Sequence, residues 1–170
     1  MIVLSDVRTV IEALVLRSPG LHFRGIQRKL GLANGVLEHH LRTLLRSRII
    51  ESERDGQFVR FYSPSTLPKE RTLISILRQA RLREIIRFLI SHPGSDYKAV
   101  VQELKLSTST ISWHLGRLER MGVVTREKNS IGLTCFVVKR PQELTRIILA
   151  YRLNFLDKAV DSYLDTWESL

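Results

Sequence analysis

A chain of 170 residues, 44% of them apolar, is long enough for one or two small domains, each burying a core of its own. Its 27 Lys and Arg against 17 Asp and Glu leave a net charge of +10, which favours a polyanionic partner. A single cysteine, Cys135, excludes an internal disulfide and a cysteine metal cluster, and no apolar run reaches the roughly 18 residues of a membrane-spanning helix.

Residues 6–17 carry Val7, Val10, Ile11, Leu14 and Val15 at helical spacing. Asp6 and Glu12 interrupt the opening apolar stretch, which reads as an amphipathic helix and not a signal peptide. Pro19-Gly20 ends this helix, and a short second helix is expected at about 22–31. After a turn at Gly31-Leu32-Ala33, a third helix runs over about 34–47, with Asn34 able to cap it. Ile49-Ile50-Glu51 and Phe58–Tyr62 read as strands around the polar tip Arg54-Asp55-Gly56-Gln57, and Asp-Gly between apolar strands is a strong hairpin signal. Pro64 and Pro68 then break the chain, and residues 69–91 read as one helix or two abutting ones. Lys69, Arg71, Arg78, Arg81, Arg83 and Arg87 stand there against Glu70 and Glu84, a segment fit either to cross a phosphate backbone or to serve as a solvated linker.

From residue 80 the pattern starts again. Helices are expected at about 80–91, 96–105 and 108–121, with Ser107 as a good N-cap and Gly122 suited to the left-handed residue after a helix. Strands at Val123–Thr125 and Leu133–Val138 flank a tip at Lys128-Asn129-Ser130. The two copies align without a gap, 74 residues apart. Pro19/Pro93, Gly20/Gly94, Leu30/Leu104, Leu32/Leu106, His40/His114, Leu41/Leu115 and Leu44/Leu118 are identical, and Tyr62/Phe136 match in kind. Pro141 opens a last helix over 141–170, as proline can at a first helical position. Leu149, Leu153, Leu156, Val160, Tyr163, Trp167 and Leu170 recur along it at alternating spacings of 4 and 3, a heptad seam that suits a homodimer. Leu144, Ile148, Tyr151 and Phe155 form a second stripe, which suits a helix folded back on the repeats.

Helix, helix, turn, helix and hairpin make a winged helix-turn-helix. The expected fold is therefore mainly α with small β-hairpin wings: two tandem winged helix-turn-helix domains, 1–66 and 67–140, plus a long C-terminal helix, 141–170. The second copy's Ser107-x-Ser109-Thr110-Ile111-Ser112-x-His114-Leu115 string, with Leu118-Glu119 and Gly122-Val123-Val124, resembles winged-helix transcription regulators of the ArsR/MarR-like superfamily, especially the tandem versions common in archaea. The resemblance spans nearly all of residues 1–140. The first copy departs from it: Ala33-Asn34-Gly35-Val36 replaces the Ser/Thr run, and Arg48 stands where Gly122 stands.

In such folds the third helix enters the major groove. Opposite the apolar stripe of Ile111, Leu115 and Leu118 lie Ser109, Trp113, Gly116, Arg117 and Arg120, with Thr110 and Ser112 on the flanks. The first copy offers Asn34, Gly35, His39, Arg42, Thr43 and Arg46 opposite Leu37, Leu41 and Leu44. These side chains can meet bases or phosphates, or form an ordinary solvated face. Trp113 can stack on a sugar, press a thymine methyl, or pack on the other wing or the C-terminal helix. The wings add Arg54, Gln57 and Arg60 in one copy and Arg126, Lys128 and Asn129 in the other, along the backbone or in the minor groove.

His40 and His114 lack the convergent ligands a metal needs and read as satisfied, semi-buried histidines; Cys135 reads as a small buried apolar residue. No cofactor or metal is expected. There is no phosphate-binding or dinucleotide glycine motif, and Ser112 and His114 diverge on a helix, so catalysis is not expected either. The first 140 residues hold 24 basic and 12 acidic side chains, +12. The resemblance thus implies a sequence-specific regulator of transcription bound to double-stranded DNA and associated with the nucleoid; the lone cysteine fits a reducing cytoplasm, and no membrane contact is expected. It would act as a homodimer through the C-terminal helix or beside the basal transcription machinery. An architectural nucleic-acid-binding protein and a winged-helix interaction scaffold are the alternatives.

Overall fold

The structure is a computed structural model that describes residues 4–151. Its described residues divide into two compact units between Arg78 and Gln79.

In the first unit, α1 (Leu4–Arg17) leads into a two-residue strand β1 (Leu21–His22), then α2 (Phe23–Leu30) and α3 (Asn34–Arg46). The hairpin β2 (Glu51–Asp55) and β3 (Phe58–Tyr62) follows, and then α4 (Pro68–Arg78). β1 pairs antiparallel with β3, giving a three-stranded sheet of order β1-β3-β2. Helical periodicity explains the packing: Val7, Ile11 and Val15 of α1 meet Leu37, Leu41 and Leu44 of α3, with Ile26, Ile50 and Phe61 closing the cluster. The residue-66 boundary expected from Pro64 and Pro68 differs from the observed one, because α4 is tied to the first unit. Arg78 donates from Nε and Nη2 to Pro19 O at 3.0 and 2.9 Å, Arg71 pairs with Glu51, and the Tyr62 hydroxyl donates to Arg71 O at 3.4 Å.

The second unit repeats the plan with α5 (Ala80–Ser91), β4 (Ser95–Asp96), α6 (Tyr97–Leu104), α7 (Thr108–Arg120), β5 (Val124–Lys128) and β6 (Thr134–Val138), and adds α8 (Pro141–Ala150). Its sheet has the order β4-β6-β5. Buried positions recur 74 residues on: Ile11/Ile85, Val15/Leu89, Ile26/Val100, Leu37/Ile111, Leu41/Leu115, Leu44/Leu118 and Ile50/Val124. Leu144 and Ile147 bury one face of α8, while Leu149 is 61% exposed. The heptad positions Leu153 to Leu170, and with them most of the expected long helix, lie outside the described residues.

The gapless alignment fails in the wing. Leu21 pairs with Phe61, whereas Ser95 pairs with Phe136, so Phe136 corresponds to Phe61 and not to Tyr62. One extra residue sits in the second tip. The first hairpin turns through Gly56-Gln57 between the paired Asp55 and Phe58; the second needs three residues between Asn129 and Leu133, whose backbones bond at 2.9 Å.

Helix ends differ as well. The third helices of both units stop in the same way, with Arg48 N bonding Leu45 O and Ile49 N bonding Leu44 O in one, and Gly122 N bonding Glu119 O and Val123 N bonding Leu118 O in the other. This turn needs a left-handed residue. Gly122 takes it at φ 68°, but in the first unit Arg48 must take it at φ 54°. After the second helices the situation is reversed: Gly31 at φ 64° in the first unit, Lys105 at φ 51° in the second.

Candidate nucleic-acid interface

Burial of Ile111, Leu115 and Leu118 turns Ser109, Ser112, Trp113 and Arg120 outward, each of them exposed. Ser107 caps α7 by accepting from Thr110 N at 3.2 Å, and its hydroxyl also meets those of Ser109 and Thr110 at 3.0 and 2.7 Å. The Tyr97 hydroxyl donates to Thr108 O. The helix thus opens on a cluster of hydroxyls, with Thr110 N and Ile111 N already held by Ser107. Trp113 is 53% exposed, with the Arg117 guanidinium 5.6 Å from its ring centre and His114 edge-on at 4.9 Å. Arg117 is half-buried because Nη1 also donates to Gln79 Oε1 at 2.7 Å, so it braces the tryptophan more than it faces solvent. Arg120 reaches back only to Gly116 O, at 3.3 Å.

On α3 the same face is more engaged. Asn34 does not cap the helix; Ala33 holds that position with no side chain to offer, and Asn34 is the first helical residue. Its Oδ1 instead accepts from Gln27 Nε2, which donates also to Leu32 O at 3.1 Å and so ties α2 to the turn. Arg42 pairs with Glu38 one turn back at 2.7 Å, and the half-buried Thr43 donates its hydroxyl to His39 O at 3.0 Å. Gly35, His39 and Arg46 stand exposed. Arg46 and Arg120 occupy equivalent positions.

The wings divide likewise. Arg60 is 5% exposed and donates to Asp55 Oδ2 at 2.7 Å and to Gly20 O at 3.0 Å, holding the hairpin to the turn after α1; it does not reach the outer surface. Arg54, whose Nε lies 3.4 Å from Gly56 O, and Gln57 are exposed. In the second wing Lys128 is exposed, but Arg126 joins Glu119 of α7 at 2.7 Å, and Asn129 Oδ1 accepts from Ile131 N and Leu133 N at 3.1 and 2.9 Å. Ile131 and Leu133 crown this tip at 76% and 51% exposure. Leu133, expected to open the strand, belongs to the tip instead, since β6 begins at Thr134; Ile131 is apolar beside a polar tip, a signal visible in sequence. The expected basic connector is also largely engaged: Arg71 and Arg78 face inward, Arg81 pairs with Glu84 at 3.1 Å, and Lys69 and Arg87 remain exposed.

The histidines are not satisfied as expected. Nδ1 of His40 and of His114 lies buried with no hydrogen-bond partner among the described residues, because each ring is inserted at the edge of the apolar stripe. Burial keeps both below the ordinary histidine range, with His39 and Arg8 adding to it at His40, and Arg117 and Arg81 at His114. His22, packed 5.0 Å from the Phe58 ring, is lowered to about 4 by burial first and then by Arg60, Arg28, Arg78 and Arg24. Cys135 is buried, its Sγ 3.4 Å from Glu127 O. Among the described residues no three His, Cys, Asp or Glu gather to hold a metal, and no helix is long and apolar enough to cross a membrane.

Comparison with known proteins bears on the two domains. Residues 5–74 match the family described as an N-terminal HTH domain, and residues 78–125 match the family described as winged helix-turn-helix DNA-binding. The chain is 24% identical over 136 residues to an uncharacterized HTH-type transcriptional regulator of Methanocaldococcus jannaschii, a match covering 80% of this chain and 34% of the relative. The chain therefore spans about a third of that relative's length. A crystal structure of ScpB from Mycobacterium tuberculosis aligns over 86% of this chain and 98% of that one, at 13% identity and a TM-score of 0.32, and that likeness carries no weight. The chain carries two helix-turn-helix domains in tandem, the second of the winged DNA-binding kind, and is similar to an archaeal HTH-type transcriptional regulator.

Proposed function

We propose that the chain is a sequence-specific regulator of transcription that grips double-stranded DNA with both helix-turn-helix units. The observation that carries this reading is the outward face of α7. Ser109, Ser112, Trp113 and Arg120 stand exposed on a third helix whose N-terminus is rich in hydroxyls, within the first 140 residues that hold the basic excess. In this reading α7 reads base edges, with Trp113 against a thymine methyl or sugar and Arg120 on a guanine edge or phosphate. On α3, His39 and Arg46 remain outward, and Arg54, Gln57 and Lys128 of the wings meet the backbone. The first unit then contributes more to positioning than to reading, since Asn34, Arg42 and Thr43 already have partners. Its work is binding, with no catalytic step, on nucleoid DNA in the cytoplasm. The exposed Leu149 begins the heptad seam, and we assign homodimerisation to that C-terminal segment.

Selection of bound sequences from a random duplex library at near-physiological salt tests the reading. A single enriched motif is the expected result, with two-fold symmetry if the tail dimerises. Retained duplex without enrichment would replace the regulator with an architectural DNA-binding protein. No retained duplex would leave a protein-interaction module.

A further inference from the structure

The second wing ends in a feature the first lacks. Its tip is one residue longer, and Asn129 holds it from three sides: Oδ1 accepts from Ile131 N and Leu133 N, and its backbone O accepts from Gly132 N at 2.9 Å. Gly132 takes the turn at φ 80°. These bonds close the loop on Asn129, and Ile131 stands outward at 76% exposure with Leu133 behind it at 51%. An isoleucine this exposed, beside a half-exposed leucine, is unfavourable in water unless something apolar receives it. The cations nearby say what kind of body that is. Lys128 is exposed at the base of the tip, with the exposed Glu127 on the opposite face of the strand, and Arg126 is clamped to Glu119 beside the C-terminal half of α7. An apolar point with the exposed Lys128 behind it fits a polyanion with an apolar interior, and stacked base pairs between phosphate rows are such a body. The minor groove, about 6 Å wide, is too narrow for a helix but admits a single side chain.

We infer that Ile131 is a wedge: it enters the minor groove of the bound duplex, partly unstacks one base step and bends the DNA. The inference rests on the proposed grip on duplex DNA and adds a mechanical act to it. Side chains of this kind bend duplexes by about 20–90° where they insert. The first wing, tipped by Gly56-Gln57, has no counterpart and does not bend its site.

The test uses the full chain on a selected duplex, or on a mixed-sequence duplex if no motif is enriched. Dyes at its two ends report the bend, and a series of 2-aminopurine positions reports unstacking. Wild type is expected to shorten the end-to-end distance and to brighten one 2-aminopurine position. Ile131→Ser should lose both signals while binding falls only several-fold, and Ile131→Leu should restore them. Serine keeps the backbone N–H that Asn129 holds, so an unchanged melting temperature shows that the tip is intact. A straight duplex under bound wild type, or a bend that survives Ile131→Ser, overturns the wedge and leaves the DNA-binding reading standing. If Ile131→Ser instead abolishes self-association of the DNA-free chain, a second copy covers the tip and the wedge is wrong. Failure of wild type to bind any duplex overturns the DNA-binding reading itself, and the wedge with it.

Discussion

The two units share a backbone and a buried stripe but present different outer faces. Leu37, Leu41 and Leu44 in one, and Ile111, Leu115 and Leu118 in the other, seat the third helix in the same way. On the side facing solvent, the first unit has closed most of its polar groups onto each other, through Gln27 with Asn34, Glu38 with Arg42, and His39 with Thr43. The second has left Ser109, Ser112, Trp113 and Arg120 outward and used Gln79 and Glu119 to hold the arginines beside them. Core identity therefore sets what the helix is, and the pairing of its polar side chains sets what it can offer to a ligand.

The largest effects test whether the cores are as alike as they look. Leu41→Ala and Leu115→Ala should each destabilise their own unit by about 3 kcal/mol, read from denaturation midpoints. A much smaller loss in one would mean that its third helix is held by something other than the stripe. Acid should then separate the units. His22 titrates near 4 in the folded chain against 6.5 in the unfolded one, so the unfolded state binds its proton first as pH falls. Stability from this residue is complete above pH 6.5 and is lost between there and about pH 4, by up to about 3 kcal/mol. His40 and His114 act in the same direction in both units. His22→Asn should flatten the pH dependence of the first unit alone, measured by denaturation at pH 4.5 and 7; an unchanged slope would show that the ring is protonated in place.

Smaller effects probe the outer faces. Trp113→Ala should weaken binding to a selected site by about tenfold, the effect of losing a base contact, while His39→Ala changes it by less. The reverse order would give the reading role to the first unit. Arg48→Gly and Lys105→Gly should each stabilise by about 1 kcal/mol and raise the melting temperature by a few degrees, because glycine relieves the left-handed strain at φ 54° and 51°. Smallest of all, Glu38→Gln frees Arg42 from an exposed pair worth about 0.5 kcal/mol. Binding should tighten slightly and the salt dependence steepen by about one phosphate contact. No change would mean that the first unit's arginine never comes near the duplex.

Much of this was legible because the determinants are local. Period 3.6 exposes each buried stripe, Pro-Gly and Gly122 mark helix ends, Ser107 announces its helix, and Asp55-Gly56 announces a hairpin. What was not legible depends on distant partners. Strands β1 and β4 are two residues long and exist only because β3 and β6 lie beside them. Arg60 and Arg78 look like surface cations in sequence, yet their partners Gly20 O and Pro19 O lie 40 and 59 residues away. Arginine is long enough for the tertiary fold, and not its neighbours, to decide where it ends. The extra tip residue was hidden because Phe58–Tyr62 and Thr134–Val138 are apolar at almost every position, so a shift of one leaves the two copies looking alike.

The exchanged glycines mean that the chain contains a worked correction of itself. Gly31 shows what the position of Lys105 accepts, Gly122 shows what that of Arg48 accepts, and Asp96, accepting from Ala99 N at 2.8 Å, shows what the helix start at His22 lacks. A single module spliced from the more relaxed choice at each of these three places would be an internally derived consensus, built without a single sequence from outside the chain.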